Sequence, residues 1–292
     1  MEKGINLFQK RCNKIVDNKN RQCYIERVKD VINKITTKIY QKSLQSFDKT
    51  EKVKFRKSQS KKSKKNKLQC KEENFLGKER IMAKIAVVAA NGKAAKKIIT
   101  EAVNRGFEVT AFGRRAENDT DAKNYIQKDI LDLTREDLKG YDAVVDAFGA
   151  WTAETLPLHS KTTQHLADIL SGTDVRLLVV GGAGSLYVNP EHTIQVADGE
   201  NFPEAFKPLA QAMAAALSEL RERKDVQWTY ISPAADFQAE GERSGKYILA
   251  GEEFTLNPAG ESVISYADYA IAMVDEIESG KHIQERISVV RA

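Results

Sequence analysis

Lys84-Ile85-Ala86-Val87-Val88-Ala89-Ala90-Asn91-Gly92-Lys93-Ala94-Ala95-Lys96-Lys97-Ile98-Ile99 is the stretch on which the reading of this chain turns. Its first seven residues (Lys84–Ala90) form a short apolar run rich in β-branched side chains, as a strand buried on both faces requires. From Gly92 the period changes. Ala95, Ile98, Ile99 and Ala102 fall on one face of a helix expected to run to Asn104, with Gly106 as its stop. A strand that turns this tightly into a helix leaves the first backbone N–H groups of the helix unpaired and facing outward. Such a helix end is a ready anion site.

The same alternation continues toward the C-terminus. Strands are expected at Phe107–Phe112, Asn124–Lys128, Asp142–Phe148, Val175–Val180 and Val226–Ser232. Helical segments are expected at Asp132–Lys139, Leu158–Leu170 and Pro203–Arg223. The last opens with Pro and Glu204 and closes with Arg221, Arg223 and Lys224, charges that agree with the helix dipole. Repeated strand–helix–strand units with right-handed crossovers give an α/β fold, a doubly wound parallel sheet of Rossmann type with order 3-2-1-4-5-6. After Pro233 the rhythm changes. Lys246–Leu249 and Glu253–Leu256 read as a hairpin around Gly251, followed by a helix at Tyr266–Ile277 and a strand at Ile287–Val290. By analogy this is a small C-terminal extension on the substrate side.

Upstream of Met82 the composition is different. Residues 1–81 hold 24 Lys/Arg against 9 Asp/Glu, whereas 82–292 hold 22 against 32, so the overall +5 describes neither part. All six prolines, four histidines and two tryptophans lie in 82–292; all three cysteines (Cys12, Cys23, Cys70) lie before it. Two readings of 1–81 stay open. One is a basic arm, with Tyr24, Val28, Ile32, Ile35 and Ile39 at helical spacing and a lysine run at Lys61–Lys67 able to attract nucleic acid or an anionic membrane surface. The other is a disordered extension outside the working protein, translated from upstream DNA. Lys, Asn and Ile have A/T-rich codons, and Lys78-Glu79 can be encoded as a ribosome-binding sequence just before Met82. No stretch approaches the length of a membrane span and the N-terminus lacks a signal-peptide apolar region, so the expected location is cytoplasmic. A body without cysteine excludes a disulfide framework and a thiolate metal site there, and no His/Asp/Glu spacing suggests a metal.

The turn Ala89-Ala90-Asn91-Gly92-Lys93-Ala94-Ala95 resembles the Gly-Ala-Thr/Asn-Gly-x-x-Gly pattern of the atypical short-chain dehydrogenases. The resemblance covers nearly all of 82–292 and is nearest to bacterial NAD(P)H-binding proteins of the NADH-flavin-reductase-like group. Of the three glycines only Gly92 is kept, with Ala89 and Ala95 at the other places; the first commonly makes a turn awkward for a side chain. The resemblance implies cofactor contacts from Ala89, Asn91, Gly92, Lys93 and Ala94 at the pyrophosphate, and from Asp129 and Ile130 at the adenine. It further implies contacts from Phe148 and Gly149, where the backbone passes close to the cofactor, and from Gly182 beside the nicotinamide. At the second strand end an acid reads NAD and an arginine accommodates the NADP 2′-phosphate. Arg114 and Arg115 stand there, so NADP(H) is favoured over NAD(H), solvated surface being the alternative.

The superfamily's Tyr-x-x-x-Lys proton donor is missing: Lys207 has Pro203 four residues before it. Ser185 and Tyr187 are its substitutes by location only, and His192 is a loop histidine able to carry a proton. Ketone reduction needs a positioned acid. Flavin or quinone reduction mainly needs hydride delivery to a stacked ring, for which Trp151, Phe148, Tyr187 and Phe237 offer aromatic walls. The expected function is therefore an NAD(P)H-dependent oxidoreductase passing hydride to a small flavin- or quinone-like acceptor. A non-catalytic NAD(P)-binding redox sensor is the alternative.

Overall fold

A computed structural model describes residues 83–292. The basic arm, the lysine run and the three cysteines lie outside the described residues. Six parallel strands follow the expected order: β1 (Lys84–Val88), β2 (Glu108–Gly113), β3 (Asn124–Gln127), β4 (Ala143–Asp146), β5 (Arg176–Val180) and β6 (Gln227–Ser232). Four further strands complete the described set, β7 (Asp236–Gln238), β8 (Tyr247–Ala250), β9 (Val263–Ser265) and β10 (Glu285–Arg291). The main sheet runs β3-β2-β1-β4-β5-β6-β10-β8, and β7 pairs with β9 in a separate ribbon. The doubly wound Rossmann-type order thus holds through six strands, with the C-terminal segment continuing the sheet beyond β6.

Four helices cover the sheet: α1 (Lys93–Asn104), α2 (Leu158–Leu170), α3 (Lys207–Arg221) and α4 (Tyr266–Ser279). On one face Ile98, Ile99 and Ala102 of α1 pack with Tyr269, Met273 and Val274 of α4 over Ile85, Val87 and Val145. On the other, Leu166 and Leu170 of α2 and Leu217 and Leu220 of α3 pack over Val88, Val144, Leu177 and Trp228. Alternate residues of β1 therefore feed opposite cores, which is why its sequence is apolar throughout. Each such buried aliphatic side chain contributes roughly 1.5–3 kcal/mol relative to exposure.

Three expectations are corrected. Glu253–Leu256 forms no strand, and β8 instead pairs antiparallel with β10, Tyr247 opposite Arg291 and Leu249 opposite Val289. The chain turns at Gly251 and Glu252 is drawn to Arg221 and Arg286, while Phe254 N–H donates to Tyr187 O at 2.8 Å. Asp132–Lys139 is not a helix but a short 3-10 turn at Ile130–Asp132 followed by turns. There Thr134 N–H donates to the Asp137 carboxylate at 2.7 Å, a local bond that competes with helical ones. The long helix begins at Lys207, because Glu204–Phe206 form a separate 3-10 turn and Pro208 fits the first helical turn. Among the described residues no helix is long and apolar enough to cross a membrane, and no cluster of His, Cys, Asp or Glu could hold a metal ion.

Candidate functional site

The β1–α1 turn lies at the carboxyl edge of the sheet, between β1 and its neighbours β2 and β4 where strand order reverses. Ala89 sits there at φ +54°, so the side chain at the first-glycine place does occupy a left-handed turn. That conformation costs an alanine roughly 1–2 kcal/mol. Gly92 N–H donates back to Ala89 O at 3.1 Å and closes the turn. Gly92 itself is exposed with φ −69°, and a Cβ placed on it would meet Ala89 O at 3.4 Å, an ordinary contact. The protein does not need glycine at 92 for its own packing. An open backbone face before a helix start without a side-chain cap is what close approach of a pyrophosphate requires. Lys93 and Ala94 open α1 at this face, and Lys93 Nζ reaches Glu240 at 3.0 Å across the mouth. Ala95 is buried behind them.

At the end of β2 the chain gathers polar groups. Arg114 is exposed, its Nε 3.9 Å from Asp129, whereas Arg115 donates to Asp119 at 2.8 Å. Asn91 lies across Gly113, donating to Asp119 at 2.8 Å and accepting from the Tyr125 hydroxyl at 3.1 Å. Asp129 caps the following 3-10 turn by accepting from Leu131 N–H at 3.0 Å, and Ile130 is buried in the α2/α3 core beneath it. The structure therefore brings Asn91, Arg114, Arg115 and Asp129 to one corner.

Sequence reading missed Asp146 at the end of β4. Its carboxyl is buried, accepting from Phe148 N–H at 3.0 Å and Thr163 Oγ at 3.2 Å, and burial pushes its pKa up to about 6. It faces a small cavity shared with Phe148, His159, Thr163, Met213 and Tyr230. The Phe148 ring stands edge-on to His159 at 5.3 Å, and burial holds that imidazole below its ordinary pKa. Gly149 is exposed beside Trp151, which is 66% exposed. The signal was a lone acid closing an otherwise apolar strand.

Gly181 and Gly182 lead out of β5. A Cβ on Gly181 would fall 2.2 Å from the Tyr230 ring, so glycine is obligatory there. Gly182 N–H donates to the Tyr230 hydroxyl at 3.3 Å. Ser185 is buried, and its carbonyl and hydroxyl oxygens both accept from Arg286, at 2.8 and 3.0 Å. Tyr187 stacks on His192 at 4.7 Å, with the Arg286 guanidinium 5.5 Å from its ring centre. Arg286 also donates to Glu252, whose carboxylate is shared with Arg221 at 2.7 Å. Ser185 and Tyr187 are thus built into the packing of the loop against Arg286 of β10. Phe237 packs on Tyr266 and Tyr269 of α4.

Known proteins share this fold. A family described as NAD(P)H-binding matches residues 89–279. The uncharacterized protein YwnB of Bacillus subtilis (strain 168) is 43% identical over 209 residues, 71% of this chain and 98% of its own length. A crystal structure from Streptococcus pneumoniae TIGR4, of a protein whose name proposes an NADH-flavin reductase, is 55% identical with a TM-score of 0.71. It is covered over 100% of its length by 72% of this chain. One from Bacteroides thetaiotaomicron, whose name proposes an epimerase, is 36% identical with a TM-score of 0.64, covering 72% of this chain and 97% of its own. With the open turn at Gly92, the reversal of strand order and a family match across most of the described residues, the chain belongs to the NAD(P)H-binding family.

Proposed function

We propose that the protein is an NAD(P)H-dependent oxidoreductase that passes hydride to a planar flavin- or quinone-like acceptor, with NADP(H) favoured over NAD(H). One observation carries the reading: the carboxyl edge offers glycine backbone and aromatic surface at Gly149, Gly182, Phe148 and Trp151, and the place of the usual proton donor holds Pro203. Lys207, four residues on, is paired with Glu204 at 2.6 Å. Such a site orients two rings and keeps water away from one face, and a flavin or quinone takes its proton from solvent. The Streptococcus relative named for flavin reduction supports the same choice.

The residues fit the cofactor. The open backbone at Gly92 and the start of α1 at Lys93 and Ala94 would hold the pyrophosphate, Arg114 and Arg115 the 2′-phosphate, and Asp129, with the backbone at the buried Ile130, the adenine. Phe148, Gly149 and Gly182 would border the nicotinamide, which supplies the hydride when bound. Ser185 and Tyr187 act in this reading by keeping the loop after β5 in place. The activity belongs with a cytoplasmic supply of NAD(P)H.

Oxidation of NADPH and NADH by the full chain, followed at 340 nm with FMN, FAD and a short-chain quinone, tests the proposal. Turnover with at least one acceptor and preference for NADPH are expected. Binding without turnover by any acceptor would overturn the enzymatic reading in favour of a redox sensor, and absence of binding would remove both.

A further inference from the structure

Three donors from three segments converge on one carboxylate at the adenosine end of the proposed site. Lys96 Nζ of α1 lies 2.7 Å from Asp119, Arg115 Nη1 of the loop after β2 lies at 2.8 Å, and Asn91 Nδ2 of the β1–α1 turn lies at 2.8 Å. Their directions are fixed from behind. The single Tyr125 hydroxyl proton is shared between Asn91 Oδ1 at 3.1 Å and Arg115 O at 2.8 Å. Gly113 leaves the room for this, since a Cβ there would stand 2.3 Å from Asn91 Oδ1 and 2.6 Å from the Tyr125 hydroxyl. The Lys96 ammonium and then the Asn91 amide hold the Asp119 carboxyl down at about 2.

A lysine, an arginine fork and an amide aimed at a single anionic group form the chemistry that recognises a phosphate monoester. Here that group belongs to the chain. The loop carrying Asp119 is at the surface and its carboxylate is one-third exposed, so it can leave without opening the core. Arg114, next to Arg115 in the chain, is 79% exposed and held only loosely by Asp129 at 3.9 Å, so it can meet an incoming anion first.

We propose that Asp119 is an internal stand-in for the 2′-phosphate of NADP(H) and sets the protein's choice between NADPH and NADH; this rests on the NAD(P)H reading above. With the carboxylate in place, Lys96 and Arg115 are both engaged and one of their two charges is cancelled, so the corner accepts a ribose bearing only hydroxyls. When a 2′-phosphate arrives it takes Lys96, Arg115 and Asn91, and Asp119 turns out to solvent. Each molecule of NADPH bound therefore displaces one carboxylate, and NADPH affinity is lower than the same cations would otherwise give.

Fluorescence titration of NADPH and NADH into the full-length protein tests this, with Asp119→Asn, Lys96→Gln/Arg115→Gln and the triple variant alongside. Asp119→Asn should raise the NADPH:NADH affinity ratio by about tenfold, the effect of one charge-assisted contact released to the ligand. In the Lys96→Gln/Arg115→Gln background the same substitution should leave the ratio unchanged, since no cations remain to be freed. Adenosine 2′,5′-bisphosphate against AMP should show the same pattern without a nicotinamide. Asp119→Glu, which keeps the charge, should stay near the parent ratio and serves if Asp119→Asn melts early. An Asp119→Asn protein that binds both cofactors with the parent ratio, or that loses NADPH selectively, overturns the role of Asp119 alone. A parent protein that binds neither cofactor overturns the NAD(P)H reading and this inference with it.

Discussion

At the scale of single residues, the glycines separate what the fold needs from what a ligand needs. Gly181 is held by Tyr230, and Gly113 by Asn91 and Tyr125. Gly92 has an ordinary φ, and a Cβ there would make only ordinary contacts, the nearest with Ala89 O at 3.4 Å, so the protein itself does not require glycine at 92 and the missing side chain serves something outside it. Gly92→Val should therefore fold with a melting temperature close to the parent's and lose dinucleotide affinity on the order of a hundredfold, as steric exclusion of the pyrophosphate would give. A folded Gly92→Val protein with parental affinity for both cofactors would remove the turn from the binding site. Arg114 makes the complementary case. It is exposed, and among the described residues it pairs with one carboxylate, Asp129 at 3.9 Å. Arg114→Ala should weaken NADPH by about tenfold, the low end for a charge-assisted contact, with a smaller effect on NADH. Raised salt should narrow that difference because screening weakens the same contact. Equal losses for the two cofactors would show that Arg114 supplies only a general positive field.

At the scale of elements, the end of β4 carries a pH dependence. Asp146 is buried with its carboxyl raised to about 6 from an ordinary 3.8, by burial first, against the bonds from Phe148 N–H and Thr163. A carboxyl that binds its proton more tightly in the folded state costs nothing below pH 4, where both states are protonated. The penalty grows as pH rises from about 4 to about 6 and is constant above, reaching at most about 3 kcal/mol for two units. Asn keeps an acceptor for Phe148 N–H and a donor for Thr163 Oγ without a charge. Asp146→Asn should thus melt higher than the parent at pH 7–8 and nearly with it at pH 4; a gap that does not depend on pH would show that folding does not raise the Asp146 pKa. This residue also shows where the sequence stops being legible. Apolar runs marked β1, β2, β4, β5 and β6, which declare their own burial, and the crossover rules gave the order; β3, mostly exposed, was read from the alternation around it. Such runs and rules could not give the β8–β10 pairing, since Tyr247 and Arg291 meet across 44 residues and neither strand names its partner. The awkward place at Ala89 was legible because a turn is local. Asp119, Asp146 and Arg286 were not, because their chemistry comes from groups that only the fold brings near. Arg115 to Asp119 is a spacing of four with no helix under it, so the pair is invisible to helical bookkeeping.

At the scale of the whole molecule, two parts of opposite charge share one chain: residues 1–81 are strongly basic and 82–292 are acidic in balance. Every described element lies in the second part, and its core closes on itself, both faces of the sheet being covered by α1 with α4 and by α2 with α3. The Streptococcus and Bacteroides relatives are covered over 100% and 97% of their length by 72% of this chain, so homologues fold without a counterpart of the remainder. A protein begun at Met82 should therefore melt cooperatively, within about 2 °C of the full chain, and bind NADPH and NADH with unchanged affinities. For a domain of this size each kcal/mol lost at the midpoint moves it by roughly 2–4 °C, so a real contribution from residues 1–81 would be seen. The charge difference should show elsewhere. The full chain, with its lysine run, should be retained by a duplex DNA or an anionic vesicle at low ionic strength and released steeply as salt rises, whereas the protein begun at Met82 should not be retained. A drop of 5 °C or more on shortening would mean that the basic segment packs on the α/β domain. Loss of cofactor binding with the fold intact would mean instead that it completes the site.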